Sequence, residues 1–247
     1  KFLPVEPTLL SYKTVFQYDA IWTGYLNSIV YTFVGTIISI VLTLFAAYPL
    51  SRNDFRGGSI LMKLFLFTMM FNGGLVPTYL LVRNLGMVDT IWAVVLPTAV
   101  NAYNIIVART FFHQTISKEL QEAAELDGAN TFQFLMKIVL PLSKPIIAVI
   151  ALYYAVGHWN DFFTALIYLN DKELMPLQSF LRDLLMSNKM SLNNMQGLDA
   201  AQAEAKMQLS QTLKYSAIIV STVPVLCIYP FIQKYFVKGV MIGSVKG

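Results

Sequence analysis

Side chains that could do catalytic or metal chemistry are sparse in this sequence. The two histidines, His113 and His158, are too few and too far apart to suggest a catalytic zinc site. The single cysteine, Cys227, lies in an apolar run and cannot form a disulfide within the chain. No G-x-x-x-x-G-K-[S/T] segment occurs, so the chain lacks a phosphate-binding P-loop. We therefore expect no catalytic residue, no metal site and no cofactor in this chain.

Polar side chains inside apolar stretches are the better candidates for binding. Asp161 is an ionisable group in such a stretch, and there it is a functional candidate by default. Asn101, Tyr103 and Asn104 lie together in another stretch, where amides offer hydrogen bonds and the ring offers a stacking surface. The same groups equally suit contacts between helices. Both interpretations stay open from the residues alone.

The elements that carry these residues are predicted to cross a membrane. Hydrophobic residues make up 56% of the chain and charged residues 13%, whereas a soluble domain carries about 25% charged residues. A helix needs about 20 apolar residues to cross a bilayer and satisfies its own backbone hydrogen bonds there. Stretches free of charge predict five spans, at residues 20–51, 64–82, 90–108, 145–160 (to about 169 if Asp161 is tolerated) and 215–233.

The distribution of basic residues predicts the orientation of these spans. The turn of residues 52–63 contains Arg52, Arg56 and Lys63 and one acidic residue, and the charged residues of the tail after the fifth span are all basic. By the positive-inside rule, this turn, the loop of residues 109–144 and the C-terminus are cytoplasmic. The lead-in of residues 1–20, the turn of residues 83–89 and the loop of residues 170–214 then lie outside.

The loop of residues 109–144 predicts two short helices joined at a glycine. Ser117 is a suitable N-cap, and Gly128 can adopt the left-handed conformation that ends a helix. We expect Thr131 to cap the second helix and Pro141 to end it. The apolar faces would comprise Ile116, Leu120, Ala123 and Ala124 in the first helix and Phe132, Leu135, Met136 and Val139 in the second. From physics alone, this elbow is either a docking surface or an amphipathic hairpin lying on lipid.

Several segments resemble the permeases of ABC importers, over essentially the whole chain. The elbow matches the "EAA" loop of that family: Glu122-Ala123-Ala124, three residues, Gly128, nine residues, then Ile138-Val139-Leu140-Pro141. The segment of residues 159–162, W-N-D-F, is similar to one in carbohydrate-importer permeases. The tail of residues 238–247 resembles the ending of the maltose-importer-like second permease, and residues 71–77, F-N-G-G-L-V-P, resemble the subgroup that imports complex oligosaccharides.

The resemblance implies an all-α integral membrane protein with the helical bundle of a type I ABC importer permease. A lead-in of residues 1–20 would precede a permease domain of residues 21–247, with a coupling loop at 113–144 and an external loop at 170–214. Such permeases usually have six spans, so a further N-terminal span is expected before Lys1. The bacterial plasma (inner) membrane is the expected location.

The resemblance also implies partners and site residues. The expected partners are a homologous permease, two ATPase subunits that carry ATP and Mg²⁺, an extracytoplasmic sugar-binding protein and an oligosaccharide cargo. The expected ATPase-docking residues are Glu122, Ala123, Ala124, Asp127, Gly128, Leu140, Pro141, Lys238, Gly239, Gly243 and Lys246. The candidate substrate path comprises Asn101, Tyr103, Asn104, Trp159, Asn160 and Asp161.

Two other kinds of membrane protein remain as alternatives. An ion-coupled secondary transporter would need intramembrane carboxylates or broken helices arranged in repeats, and the sequence offers Asp161 but no visible repeat. A structural or regulatory membrane subunit would have no path at all. Dependence of transport on ATP separates these classes.

Overall fold

The computed structural model describes residues 10–193, 212, 214–227 and 230, and the regular elements in those ranges are helices. They are α1 (Leu10–Phe16), α2 (Asp19–Ser51), α3 (Gly58–Met70), α4 (Leu75–Asn84), α5 (Ile91–Val95), α6 (Ala102–Thr115), α7 (Lys118–Leu126), α8 (Thr131–Phe134), α9 (Leu140–Leu142), α10 (Lys144–Asn160), α11 (Phe163–Tyr168), α12 (Leu177–Asn193) and α13 (Lys214–Cys227). Short 3₁₀ turns cover Leu96–Thr98 and Lys172–Leu174, and a π-helical turn covers Leu135–Val139.

Helix α2 is the central column of the bundle. Its 33 residues span about 50 Å at 1.5 Å per residue. Within the described ranges it contacts α6, α10 and α12 most extensively. Its buried face is rich in small side chains, at Gly24, Ser28, Gly35, Ser39, Thr43 and Ala47. Small residues in this spacing let neighbouring helices approach closely.

Helix α10 packs along this small face of α2. The imidazole of His158 lies over Gly35, where an added Cβ would come within 2.6 Å of Nε2. Further along, the Thr43 hydroxyl and the Tyr154 hydroxyl are 2.7 Å apart in a buried hydrogen bond. Interhelical hydrogen bonds of this kind are typical of membrane bundles. A hydroxyl group of α2 therefore takes part in its contact with α10.

The predicted second and third spans are not straight helices. The chain bends by 112° between α3 and α4 and by 53° between Ile91–Thr98 and α6. At the first break Gly74 adopts φ 89° and ψ 167°, a conformation that is essentially restricted to glycine. At the second break Asn101 is extended and its side chain accepts the N–H of Asn104 as the N-cap of α6. Each of the predicted stretches at 64–82 and 90–108 therefore contains a bend.

By length and composition, α2 is long and apolar enough to cross a membrane by itself. Three bent pairs qualify if each is one span: α3 with α4, Ile91–Thr98 with α6, and Thr131–Leu142 with α10, which bends by 82°. The described part of the fifth predicted span, α13, is a shorter apolar helix. The fourth ends at Asn160 and the chain continues into α11 after a break at Asp161.

The segments predicted to share a side of the membrane lie at the same end of the bundle. At one end, Arg109 Nε donates to the Leu50 carbonyl at 3.2 Å, and His113 Nδ1 lies 3.1 Å from the Ser51 carbonyl. At the other end, the carboxylate of Asp89 accepts hydrogen bonds from the backbone and side chain of Asn170. The orientation relative to the cell stays a prediction. The predicted helix at 200–209 lies outside the described residues.

Candidate functional site

The elbow between α6 and α10 has the predicted helix–glycine–helix form. Ser117 caps α7 by accepting the N–H of Leu120, and Gly128 adopts φ 81° directly after the helix. The second helical segment is capped by Asn130, which forms a capping box with Gln133, and not by Thr131 as predicted. It ends at Leu142, one residue past Pro141.

The two faces of the elbow differ sharply in exposure. Ala124 is buried against the bundle, together with Phe134, Leu135 and Val139. The outward face contains Glu122, Ala123, Leu126, Asp127 and Gly128, all exposed. Leu126, at the tip of α7, is 91% exposed. Leu140 is partly buried and Pro141 is exposed at the base of the elbow. An apolar tip beside a small alanine surface is suited to insertion into a groove of another protein.

Three charged residues of α7 have partners among the described residues: Lys118, Glu122 and Glu125. Lys118 Nζ lies 3.0 Å from Glu122 Oε1, one helical turn away. Gln121 Nε2 donates to Glu125 Oε1 at 2.9 Å. Both ion-pair partners Lys118 and Glu122 are exposed, so this pair contributes little to stability.

Arg52 ties the elbow to the end of α2. Its guanidinium donates two hydrogen bonds to Asp54, at 2.8 and 2.6 Å, and one to the hydroxyl of Tyr48 at 3.2 Å. The same guanidinium lies 3.6 Å from Glu125 of α7. The Arg52 side chain is only 14% exposed, so its planar fork is held in a defined position between α2 and the elbow.

The same contact sets the ionisation of Asp54. The hydrogen bonds from Arg52 lower the pKa of Asp54 below its ordinary value. Because the folded pKa is depressed, the contribution of this pair is present above the ordinary pKa of an aspartate and is lost as the pH falls through the depressed value. The Arg52–Asp54 pair, which holds the guanidinium beside the elbow, is therefore intact at neutral pH.

A cavity of about 510 Å³ opens within the bundle between α6 and α10. Its lining is made of hydroxyl, amide, imidazole and carboxyl groups: Thr98, Asn101, Tyr103, Asn104, Tyr153, Tyr154, Gly157, His158, Asn160, Asp161 and Thr164. Tyr103 and Tyr153 are 53% and 51% exposed. Exposed rings beside amide and hydroxyl groups can stack on a ligand and hydrogen-bond to it at once.

Hydrogen bonds hold several lining groups in place. The backbone N–H of Asn101 donates to the Tyr154 hydroxyl at 3.2 Å, which joins the break before α6 to α10. Asp161 Oδ1 accepts the N–H of Thr164 at 3.0 Å, and Asn160 Nδ2 donates to the Val156 carbonyl at 2.9 Å. Asp161 thus has a structural role, because it follows the end of α10 and caps the start of α11. Its second carboxylate oxygen accepts no hydrogen bond from the described residues.

Five of the six candidate path residues line this cavity, and Trp159 does not. The indole Nε1 of Trp159 donates to the Ser221 carbonyl of α13 at 2.9 Å. The side chain is buried in a separate cluster with Val15, Ile21 and Leu177. Adjacent residues on a helix point in different directions, so Trp159 supports the packing of α13 while Asn160 and Asp161 face the cavity.

Sequence reasoning missed three side chains that the structure places at these sites. Leu126 was detectable as an apolar residue away from the apolar face of α7. Tyr153 was detectable because it lies four residues before Gly157, on the side of α10 that also carries Asp161. Apart from its positive charge, no local sequence pattern indicated that Arg52 contacts the elbow. The predicted docking residues Lys238, Gly239, Gly243 and Lys246 of the tail lie outside the described residues.

Comparison with known proteins identifies relatives along nearly the whole chain. The polygalacturonan/rhamnogalacturonan transport system permease protein YtcP of Bacillus subtilis is 44% identical over 99% of this chain and 84% of its own length. Protein LplC of the same organism is 43% identical over 99% of this chain and 81% of its own length. The first of these relatives is by its name a transport system permease, and this chain is likewise a permease subunit that does no catalysis itself.

A solved structure shows the same fold. It is a bacterial ABC transporter involved in the import of the acidic polysaccharide alginate, and one of its chains matches with a TM-score of 0.81 and 35% identity. The match covers 95% of this chain and 81% of that chain. The predicted ABC importer permease fold is confirmed. The sequence profile of one family matches residues 20–242. The chain belongs to this family, the binding-protein-dependent transport system inner membrane components.

Proposed function

We propose that this chain is one of two homologous permeases that together enclose the path of an ATP-driven oligosaccharide importer. Two copies of a separate ATPase, which carry ATP and Mg²⁺, bind the elbow, and an external binding protein delivers the cargo. The observation that carries the proposal is the elbow itself, whose apolar tip Leu126 is exposed while the neighbouring Glu125 approaches Arg52 at the end of α2. The family and the relatives support the assignment.

The structure suggests how ATPase movement reaches the path. Force on the outward face of α7 passes to α2 through Arg52 and through the contacts of Arg109 and His113 with the end of α2. It passes to α10 through the short turn at Ser143. Helix α10 lines the cavity, and its Tyr154 joins Thr43 of α2 to Asn101 at the cavity wall. Tilting of these helices would exchange outward and inward openings, provided that each ligand favours one state.

An oligosaccharide is the cargo that the cavity and the relatives favour. The named cargoes of the relatives are polygalacturonan or rhamnogalacturonan and, for the solved structure, alginate. The cavity offers amides, hydroxyls and two exposed tyrosine rings, which suit sugar hydroxyls and sugar faces. No lysine or arginine lines the cavity in the described part of the chain. This half of the path therefore recognises the sugar by hydrogen bonding and stacking.

Uptake by reconstituted vesicles tests the proposal. Vesicles would contain this chain, its second permease and the ATPase, with ATP in the lumen and the binding protein outside with labelled oligogalacturonide. We expect uptake that requires both ATP and the binding protein. The matched control is the same complex with an ATPase that binds but does not hydrolyse ATP. Uptake driven by an ion gradient without ATP would instead identify a secondary transporter. Absence of transport would indicate a structural or regulatory subunit.

A further inference from the structure

A second cavity, of about 480 Å³, lies where the end of α2 meets the second helical segment of the elbow. Its volume is in the range of small-molecule sites, about 300–1,000 Å³. The apolar part of its lining comprises Phe45, Pro49, Phe55, Phe132 and Leu135. Phe45, Phe55 and Phe132 are 49%, 39% and 58% exposed. The described chain therefore leaves much of this apolar lining uncovered.

The polar lining of this cavity has an excess of positive charge. Arg52 and Arg56 both line it, and the single acid among the lining residues is Asp54. Asp54 already accepts two hydrogen bonds from Arg52. Arg56 is exposed, and none of the ion pairs among the described residues includes it. The Arg56 guanidinium is therefore available to a further anion.

The residues that the structure does not describe are poor sources of that anion. Residues 231–247, which are predicted to lie on the same side of the membrane, contain three lysines and no acidic residue. The acidic residues outside the described ranges are Glu6, Asp199 and Glu204, and their segments are predicted to lie on the opposite side. A molecule other than this chain is therefore the better partner for Arg56.

The depth of the cavity in the membrane favours a phospholipid as that molecule. The 33 residues of α2 are about 50 Å long, whereas the hydrocarbon core is about 30 Å thick. A core centred on α2 leaves about 10 Å of helix in the headgroup region at each end. Phe45 lies seven residues before Arg52, which is also about 10 Å along the helix. The lining at Phe45 therefore lies at the depth of the acyl chains, and Arg52 lies at the depth of the phosphates.

From these observations we infer that this cavity binds an anionic phospholipid. The headgroup phosphate pairs with Arg56, because a guanidinium matches phosphate geometry in two parallel hydrogen bonds. An acyl chain lies over Phe45 and Phe132. Basic pockets on the cytoplasmic side of membrane proteins bind anionic headgroups in this way. Because the lipid contacts both α2 and the elbow, it stabilises the contact between them. The inference goes beyond the proposed function and does not depend on the cargo.

A photoreactive probe in the cavity tests this site. A benzoylphenylalanine replaces Phe132 in the complete importer, which is reconstituted into vesicles of equal parts phosphatidylglycerol and phosphatidylcholine with the same acyl chains. Unselective contact with lipid would give equal adducts of the two lipids. We expect the phosphatidylglycerol adduct to exceed the phosphatidylcholine adduct by about fivefold, the effect of one basic residue near a lipid surface. Equal lipid adducts, or adducts chiefly with the ATPase, the second permease or another segment of this chain, would overturn the inference.

Two matched variants of the probe-bearing chain identify the charge responsible. Arg56→Gln should abolish the excess of phosphatidylglycerol adduct. Lys63→Gln removes the same charge from the nearby α3, outside the cavity lining, and should keep the excess. Equal loss in both variants would indicate a general surface potential and would overturn the inference. An unchanged excess in Arg56→Gln would also overturn it.

Inorganic phosphate distinguishes a lipid site from a site for free anions. Phosphate replaces chloride in the buffer at constant ionic strength, so that screening of charges is unchanged. We expect the excess of phosphatidylglycerol adduct to persist, because the acyl chain adds apolar contacts that free phosphate lacks. Loss of the excess would identify a site for free anions and contradict the assignment to a lipid.

Discussion

At the scale of single residues, the contact between Gly35 and His158 limits what the bundle tolerates. The imidazole lies against the Gly35 backbone, and Ser39 lies 3.5 Å from the same ring nitrogen. A second close approach occurs at Gly24, where a Cβ would meet the Leu177 backbone at 3.1 Å. The stability of the bundle therefore depends on glycines that leave room for neighbouring helices, as expected where contact between helices is driven by packing.

Gly35→Ala should destabilise the chain. The new Cβ would lie 2.6 Å from His158 Nε2, and overpacking of this kind costs about 1–3 kcal/mol. The measurement is the thermal unfolding temperature in detergent. Gly157→Ala is the matched control, because a Cβ there meets nothing within 4 Å and alanine favours the helix. Equal unfolding temperatures for the two variants would contradict the packing described here.

Tyr103→Ala should weaken cargo recognition. Its exposed ring lies in the cavity, and aromatic stacking is worth about 0.5–1.5 kcal/mol. We expect the half-saturating cargo concentration for uptake to rise by about 2- to 10-fold, with no change in ATPase binding. Tyr103→Phe keeps the ring and should behave nearly as the unaltered chain. An unchanged uptake curve for Tyr103→Ala would remove Tyr103 from the path.

At the scale of elements, the elbow is shaped by local chemistry at its ends. Caps at Ser117 and Asn130 start its two helical segments, and Gly128 reverses the chain between them. Its buried side, around Ala124, packs on the same core as α2, α6 and α10. The elbow therefore moves with these helices, while its outward side stays available to a partner.

Gly128→Val should abolish ATPase binding without preventing membrane insertion. Valine at φ 81° is strained, so the angle between the two helical segments would change. Gly86→Val is the matched control: Gly86 has φ 68° and equally open surroundings, but lies in the turn at the opposite end of the bundle. Co-purification of the ATPase is the measurement. Normal ATPase recovery with Gly128→Val would discard the docking role.

Arg52→Gln should uncouple transport from ATP hydrolysis. The change removes the bidentate contact with Asp54 and the approach to Glu125. Both carboxylates are exposed, so the stability cost should be at most about 1 kcal/mol. We expect normal ATPase binding but fewer cargo molecules moved per ATP hydrolysed, measured in the same vesicles. The control is Arg182→Gln, which removes the exposed pair with Asp183 in α12. Equal coupling in both variants would show that Arg52 transmits nothing.

At the scale of the whole molecule, the two ends of the bundle have different tasks. One end contains the basic turn of residues 52–63 and the elbow, and the other contains Asp89, Asn170 and the start of α12. The cavity lies between α6 and α10, the helices that connect directly to the elbow. The proposed function requires this difference between the two ends, because the ATPase would bind at one end and the cargo would arrive at the other.

Surface labelling in intact cells should confirm the orientation. With Cys227→Ser as background, a membrane-impermeant maleimide should label Lys172→Cys but not Ala123→Cys, because the elbow lies at the same end of the bundle as the basic turn of residues 52–63, which is predicted to be cytoplasmic. Both positions are exposed in this chain, and both should react after permeabilisation. Labelling of Ala123→Cys from outside would place the elbow on the wrong side and contradict the proposed coupling.

What the sequence alone could predict depended on local chemistry. Apolar stretches predicted the membrane location, and α2 begins and ends within a residue of the predicted span because no charge interrupts it. Ser117 and Gly128 were predictable because capping and left-handed turns involve neighbours within four residues. The cap at Asn130 was missed because Thr131 beside it is also a suitable cap residue.

Only the tertiary structure decided which distant groups meet. Asn101 and Asp161 line one cavity although 60 residues separate them, and Trp159, two residues from Asp161, packs elsewhere. Hydropathy also cannot reveal the 112° bend at the α3–α4 break, since a broken span and a straight one have the same composition. Local interactions determine where helices are capped and how long the apolar helices are. The directions of the helices and the residues that meet in the cavity depend instead on contacts between helices that are far apart in the chain.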